Sequence, residues 1–350
     1  MTGTRVARVG ASGTTGREVG GHIPLANLVL AGPGRAGTTS LFWYLAQHPQ
    51  ICHSSIKETH YFMPLSEVED GASGRLPPAS DYGRYFRRFA GEPYLMEASP
   101  RYFQGGRRLV CGLRSMLPGV SVMVTLRDPV LRTWSMYRYV RSHGFIAAGE
   151  TFDRYVDRCE ALARSGARQS ADNRPYWGTR VSRYADHLPA WLEELPPERL
   201  QIVFFEDMVA DVPGTLERLC GWLGLDAGDV GDWDLSVRNT SGEVRSAMLH
   251  RVARFANHER LLRNHRRLKS PLRRAYYAVN RGREETMPAD TRRRLEAIFR
   301  QPNRRLCGQL AASGYRDLPP WLSTGEPMRR PAADGSAGVS GTTGRPNPAR

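Results

Sequence analysis

Lysine is almost missing from this 350-residue chain: Lys57 and Lys269 are the only two, leaving 48 of the 50 basic residues as arginine. So lopsided a ratio reflects coding bias as much as a selected surface, which weakens any step from the formal charge of +15 to nucleic-acid binding. Much of the excess lies in residues 251–305, interleaved with Leu, Ala and Tyr at helical spacing. That pattern reads as a solvated basic face on C-terminal helices, and no nucleic-acid partner is expected. Cysteine is scarce too. Cys52, Cys111, Cys159, Cys220 and Cys307 are odd in number and lack C-x-x-C spacing. They argue against a zinc site or a disulfide frame and for reduced thiols in the cytoplasm. There is no run of about 18 apolar residues and no signal-peptide core, so a soluble chain without a membrane partner is expected.

What is present is concentrated in residues 26–47, ANLVLAGPGRAGTTSLFWYLAQ. An apolar run (Leu28, Val29, Leu30) leads into a glycine-rich turn, and Leu41, Phe42, Tyr44 and Leu45 then give a helix-like apolar face. Strand, glycine turn and helix N-terminus make an anion site, because backbone N–H groups converge with the positive end of the helix dipole. Three ligands compete for it. Gly32, Gly34 and Gly37 satisfy G-x-G-x-x-G, the dinucleotide fingerprint of NAD(P)-dependent oxidoreductases. Gly32 to Thr39 fits G-x-x-x-x-G-K-[ST] except that Thr38 replaces the lysine that bridges the outer phosphates of ATP, so a simple kinase or ATPase is not expected. The third ligand is a nucleotide ending in a 5′-phosphosulfate, which has no γ-phosphate to bridge. Arg35 supplies a cation inside the loop.

Short apolar runs alternate with helical patterns along the chain. Strands are predicted at 27–31, 51–54, 95–98, 121–126 and 201–205. Helices are predicted at 38–47, 129–143, 152–165, 183–194, 213–223, 246–264 and 289–312. This alternation indicates an α/β fold, a three-layer sandwich with a central parallel sheet flanked by helices, and ligands at the carboxyl ends of the strands. Residues 1–22, rich in Gly, Thr and Arg, and residues 323–350, rich in Gly, Pro, Ser and Thr, read as disordered tails around a folded domain at 23–322.

A second informative stretch is VMVTLRDPVLRTWSMY, residues 122–137. A strand ends at Arg127, Asp128 can cap a helix, and Pro129 suits its first position. Arg127 then stands on the same sheet edge as the glycine turn. Ser135 follows about two turns into the helix. A guanidinium and a hydroxyl so placed can hold one phosphate from two sides.

Together these motifs resemble the sulfotransferases that use 3′-phosphoadenosine 5′-phosphosulfate (PAPS), nearest their carbohydrate-type branch and its bacterial relatives. The resemblance runs from the glycine turn through His48-Pro49, Lys57-Glu58-Thr59-His60-Tyr61-Phe62, Glu97-Ala98-Ser99-Pro100 and Arg127-Asp128-Pro129. It continues through Tyr184, His187-Leu188, Trp191-Leu192, Phe205-Glu206-Asp207 and residues 220–224, ending at Arg238-Asn239-Thr240-Ser241-Gly242 and Arg245. It implies a P-loop-like fold and in-line transfer of a sulfuryl group to a hydroxyl of a carbohydrate or other small-molecule acceptor, without a metal. The family's 5′-phosphosulfate loop falls on Gly34, Arg35, Ala36, Gly37, Thr38, Thr39 and Ser40. Its 3′-phosphate clamp falls on Arg127 and Ser135, and its late basic segment on Arg245. Glu58 aligns with the general base, and His60 is the competing base, since other branches use histidine.

Two departures from the family stand out. Arg35 replaces the usual loop lysine: it keeps the charge but cannot give a proton to a leaving group. Ala98 stands where the carbohydrate branch often has lysine after the glutamate at 97. The oxidoreductase alternative needs an acid about 20 residues beyond its turn, and Glu58 also meets that spacing. The acceptor pocket is expected to use Tyr61, Phe62, Met63, Tyr102, Phe103, Arg138 and Trp177.

Overall fold

Five apolar runs form the strands β1 (Leu28–Leu30), β2 (Ile51–His53), β3 (Tyr94–Ala98), β4 (Ser121–Leu126) and β5 (Leu200–Phe204). All pair in parallel, in the order β2-β3-β1-β4-β5. The structure is a computed structural model that describes residues 24–236 and 285–322. Every residue of β1 and β4 is buried, as a parallel sheet covered on both faces requires. The expected helix 246–264 and the motif residues from Arg238 to Arg245 lie outside the described residues.

The helices are α1 (Thr38–Leu45), α2 (Ala79–Gly83), α3 (Arg107–Met116), α4 (Pro129–Ser142), α5 (Phe152–Ser165), α6 (Gly178–Val181), α7 (Leu188–Glu194), α8 (Phe205–Ala210), α9 (Val212–Leu223) and α10 (Ala289–Ala312). Because strand side chains alternate, Leu28 and Leu30 pack with Met96, Met123 and Val203 beneath α1 and α9. Val29 joins Leu95, Val122, Val124 and Ile202 on the other face, under Leu109 and Leu113 of α3, Trp191 of α7 and Leu306 of α10. These are the three layers expected. A satellite core of Val130, Tyr137, Tyr155, Val156, Leu295 and Phe299 ties α4, α5 and α10 together. Among the described residues, no helix is long and apolar enough to cross a membrane.

Boundaries differ from expectation where local chemistry intervenes. The predicted helix 183–194 splits into a 3₁₀ turn, Tyr184–Asp186, and α7. Pro189 is the cause: it fits the first turn of a helix but has no N–H to continue one already under way. Phe205, expected to end β5, instead opens α8. Helix α3 was not anticipated, although Leu109, Val110 and Leu113 lie on its buried face at helical spacing.

β1 sits between β3 and β4: the chain leaves it toward β2 and β3 on one side, then crosses over to β4 and β5 on the other. This is the switch point at which open parallel sheets bind ligands, beyond the strand carboxyl ends.

Candidate active site

The glycine turn is shaped by the strand beside it. β1 pairs with β4 only as far as Met123, and β4 runs on to Leu126. Gly32 lies against that overhang: a Cβ there would sit 2.2 Å from the Thr125 hydroxyl and 2.4 Å from its backbone nitrogen. Backbone cannot yield as a side chain can. Gly32→Ala is therefore expected to destabilise the protein by roughly 1–3 kcal/mol or more, read as a lowered unfolding midpoint in denaturant. Gly37, at the cap of α1, has φ +89°, and a Cβ there would meet Phe205 and Met208 of α8 at 2.7 Å. It offers no side-chain cap to the first N–H groups of α1.

Arg35 occupies the middle of the loop in the left-handed region, φ +73°. Its Nε donates to the Ser135 hydroxyl on α4 at 3.2 Å, and its guanidinium lies 5.2 Å from the centre of the Tyr139 ring. Arg127, at the carboxyl end of β4, donates through NH1 to the Arg35 carbonyl at 3.2 Å. Loop, strand end and helix thus meet at one residue. Burial pushes the Arg35 guanidinium down to about 10; Tyr139 opposes the shift, and the positive charges of Arg127, Arg132 and Arg138 add to it. Burial likewise lowers Arg127, partly offset by Glu206, Tyr184 and Asp128. The Arg127 guanidinium stacks 4.4 Å from the Phe205 ring, and its buried Nε has no hydrogen-bond partner among the described residues. Such an orphan donor beside a glycine turn suits an anionic oxygen.

Local chemistry fixes the start of α4. Asp128 accepts from the backbone N–H groups of Val130 and Leu131 at 2.8 and 3.3 Å, with Pro129 in the first turn. The Asp128 N–H in turn donates to Glu206 at 3.0 Å, and the Tyr184 hydroxyl donates to the Arg127 carbonyl at 2.8 Å.

Residues 57–62 cross the carboxyl end of β3. The Glu58 N–H donates to the Ala98 carbonyl at 2.8 Å. Glu58 and His60 have φ of +69° and +54°; with Arg35 they are the non-glycine residues in the left-handed region among those described. Backbone held there carries strain, and strain of this kind gathers at functional sites. Lys57 Nζ lies 2.8 Å from one Glu58 carboxylate oxygen, and His60 Nε2 lies 3.7 Å from the other. Burial lowers the His60 pKa, with Arg101 adding to the shift and Glu58 opposing it. His60 is therefore neutral at physiological pH.

A cavity of about 400 Å³ joins these parts. It is lined by Gly34, Arg35, Thr38 and Thr39 of the glycine turn and α1, by Glu58, by Arg132, Met136, Tyr139 and Val140 of α4, and by Gln169, Arg174 and Trp177.

Comparison with known proteins gives this geometry a family. The model of the sulfotransferase domain matches residues 25–301. The chain belongs to the sulfotransferase family. One relative is the Drosophila melanogaster bifunctional heparan sulfate N-deacetylase/N-sulfotransferase, 27% identical over 211 residues, covering 55% of this chain and 19% of that protein. Another is human heparan sulfate glucosamine 3-O-sulfotransferase 6, 26% identical over 223 residues, covering 63% of this chain and 58% of the relative. The chain thus spans only part of the length of these relatives. A solved sulfotransferase from Alicyclobacillus acidocaldarius shares the fold, with a TM-score of 0.60 and 20% identity over 85% of this chain and 99% of its own.

The sulfotransferase fold brings together most residues singled out from the sequence. Gly34, Arg35, Thr38, Thr39 and Glu58 line the cavity. Ala36, Gly37 and Ser40 complete the turn and the start of α1, with Ala36, Thr38 and Ser40 buried. Arg127 and Ser135 do not line this cavity; both reach it through Arg35. Arg245 lies outside the described residues.

The expected acceptor residues need correction. Tyr61, Phe62, Met63, Tyr102 and Phe103 are packed in the core under α3 and α7, and of the seven only Trp177 lines the cavity. These aromatic side chains are the filling between sheet and helices rather than pocket walls. Sequence reasoning also missed Arg132, which is 1% exposed and donates to the Gly178 carbonyl and the Ser182 hydroxyl. The signal was present: Arg132, Met136, Tyr139 and Val140 recur at three- and four-residue spacing along α4, marking one face of that helix.

Proposed function

We propose that this protein transfers the sulfuryl group of PAPS to a hydroxyl of a carbohydrate or other small-molecule acceptor. The observation that carries the proposal is the position of Arg35, bonded to both Ser135 and Arg127 and exposed to the cavity that Glu58 also lines. The cavity therefore offers a phosphate cradle and a carboxylate base, with the Arg127–Ser135 clamp joined to it through Arg35.

In this reading the N–H groups of residues 34–40 and the Arg35 guanidinium hold the 5′-phosphosulfate, while Arg127 and Ser135 hold the 3′-phosphate. Arg245 is assigned to the same nucleotide from its place in the family pattern. The acceptor oxygen attacks sulfur in line and its proton passes to Glu58. The bond from sulfur to the bridging oxygen breaks, and the negative charge left on the 5′-phosphate is met by Arg35 and the loop. Placement of the reactants and charge stabilisation supply most of the rate, as in phosphoryl transfer. Lys57, bonded to Glu58 at 2.8 Å, helps orient that carboxylate. Five unpaired thiols support a reducing compartment such as the cytoplasm.

The test has two stages. Adenosine 3′,5′-bisphosphate should raise the unfolding temperature and NADH should not; the reverse would restore the oxidoreductase alternative. Radiolabelled PAPS is then offered with a panel of p-nitrophenyl glycosides and simple phenols, and label should move to at least one of them. Arg127→Ala is expected to weaken bisphosphate binding about 10–100-fold, the loss of one or two hydrogen bonds to a charged group. Titration calorimetry measures it, and an unchanged affinity would remove Arg127 from the clamp.

A further inference from the structure

The carboxylate of Glu97 takes no part in the chemistry described above, yet it is 0% exposed at the carboxyl end of β3. Its partners are hydroxyls. Thr59 donates to Oε2 at 2.5 Å, Ser99 donates to the same oxygen at 3.1 Å, and Tyr82 donates to Oε1 at 3.0 Å. Burial raises its pKa, and these hydrogen bonds oppose the shift. A buried carboxyl satisfied only by neutral donors is a poor way to stabilise a core; apolar residues of similar volume serve stability better. Its retention here calls for another reason.

The reason lies in what the hydroxyls touch. Thr59 stands between Glu58 and His60, the two candidate bases, both in the left-handed region. The Ser99 hydroxyl that donates to Glu97 also accepts from the backbone N–H of His60 at 3.1 Å. The Tyr102 hydroxyl accepts from the Phe62 N–H at 3.2 Å and lies 3.3 Å from the Thr59 hydroxyl. The strained turn is therefore pinned at three successive residues: at Glu58 through the Ala98 carbonyl, at Thr59 through Glu97 and at His60 through Ser99. Left-handed backbone at two non-glycine residues persists only where surrounding contacts over-determine it.

We propose that Glu97, acting through Thr59 and Ser99, is a positioning residue that holds the turn at residues 58–60 and so aims the Glu58 carboxylate into the cavity. The inference rests on the reading of Glu58 as the base. It also accounts for Ala98: the side chains at 97 and 99 do the positioning, and residue 98 contributes its carbonyl, which any residue supplies.

The test isolates one hydroxyl. Thr59→Val keeps the shape and removes the donor; Thr59→Ser keeps the donor. Each variant, with Ser99→Ala and Glu58→Gln in parallel, is assayed with radiolabelled PAPS and the best p-nitrophenyl acceptor of the panel. Rates are scored per adenosine 3′,5′-bisphosphate site counted by calorimetry, so that misfolded protein is excluded. Thr59→Val and Ser99→Ala should lower kcat about 10–100-fold, the effect of a displacement near 1 Å, with bisphosphate affinity unchanged. Thr59→Ser should restore kcat to within about threefold. Adding Thr59→Val to Glu58→Gln should have little further effect, since a turn without its carboxylate has nothing left to aim. A kcat for Thr59→Val within twofold of the unaltered protein, or a loss explained wholly by fewer binding sites, would overturn the proposal. A Glu58→Gln enzyme of normal rate alongside a slow Thr59→Val enzyme would overturn the base assignment and leave the positioning effect in place.

Discussion

Glu58→Gln is expected to slow sulfuryl transfer about 10²–10⁴-fold, the usual worth of a placed general base, while adenosine 3′,5′-bisphosphate binds as before. Glutamine fills the same volume at the same backbone angles, so the change removes proton acceptance and little else. The 2.8 Å contact with Lys57 weakens, but that lysine side chain retains 11% of its exposure and keeps access to water. His60→Asn provides the comparison. His60 Nε2 lies 3.7 Å from Glu58, outside hydrogen-bond range, and burial already holds the ring neutral. It is expected to cost less than Glu58→Gln, and a larger loss at His60 would exchange the two roles. Steady-state rates for both variants on one acceptor decide between them.

Arg35→Ala should be nearly as severe in a different way. Removing an electrostatic donor aimed at charge that develops in the transition state costs about 10²–10³-fold in kcat, and Arg35 is also the junction between loop, β4 and α4. Two readouts separate these effects. If Arg35 acts on the departing phosphate, Arg35→Lys should recover much of the rate, because charge is what the leaving group needs. If its main role is structural, through the Nε bond to Ser135, lysine should fail as alanine does, since the guanidinium makes that contact, while the Arg127 bond goes to the Arg35 carbonyl that every variant keeps. Single-turnover kinetics with PAPS distinguish the outcomes, and near-normal turnover in Arg35→Ala would contradict the assignment.

Much of this arrangement was legible in the sequence because it is local. The glycine turn, Asp128-Pro129 and the apolar strand runs are written in contiguous residues, and β4 and α5 occupy the ranges expected of them. Pro189 is equally visible, and it outweighs the apolar periodicity of 183–194 to start a new helix. The placement of aromatic residues was not legible. Tyr61, Phe62, Tyr102 and Phe103 read the same whether they face a ligand or a helix, and only the packing of α3 and α7 over that face decides. The Glu97 network was hidden for a related reason. Thr59, Tyr82, Glu97 and Ser99 are scattered over about 40 residues and meet only because β3 ends beneath the turn at residues 58–60. Steric demands behave similarly: in the sequence Gly32 reads as part of a fingerprint, whereas its need for glycine comes from Thr125 on the neighbouring strand.

The central claim is that one pocket recognises both phosphates of a single adenosine nucleotide. Calorimetric titration with adenosine 3′,5′-bisphosphate and with adenosine 5′-phosphate, on the unaltered protein and on Arg127→Ala, measures this directly. The account predicts tighter binding of the bisphosphate by about tenfold or more, with the preference abolished in the variant. Equal affinity for the two nucleotides in the unaltered protein, or a preference that survives the loss of Arg127, would contradict it.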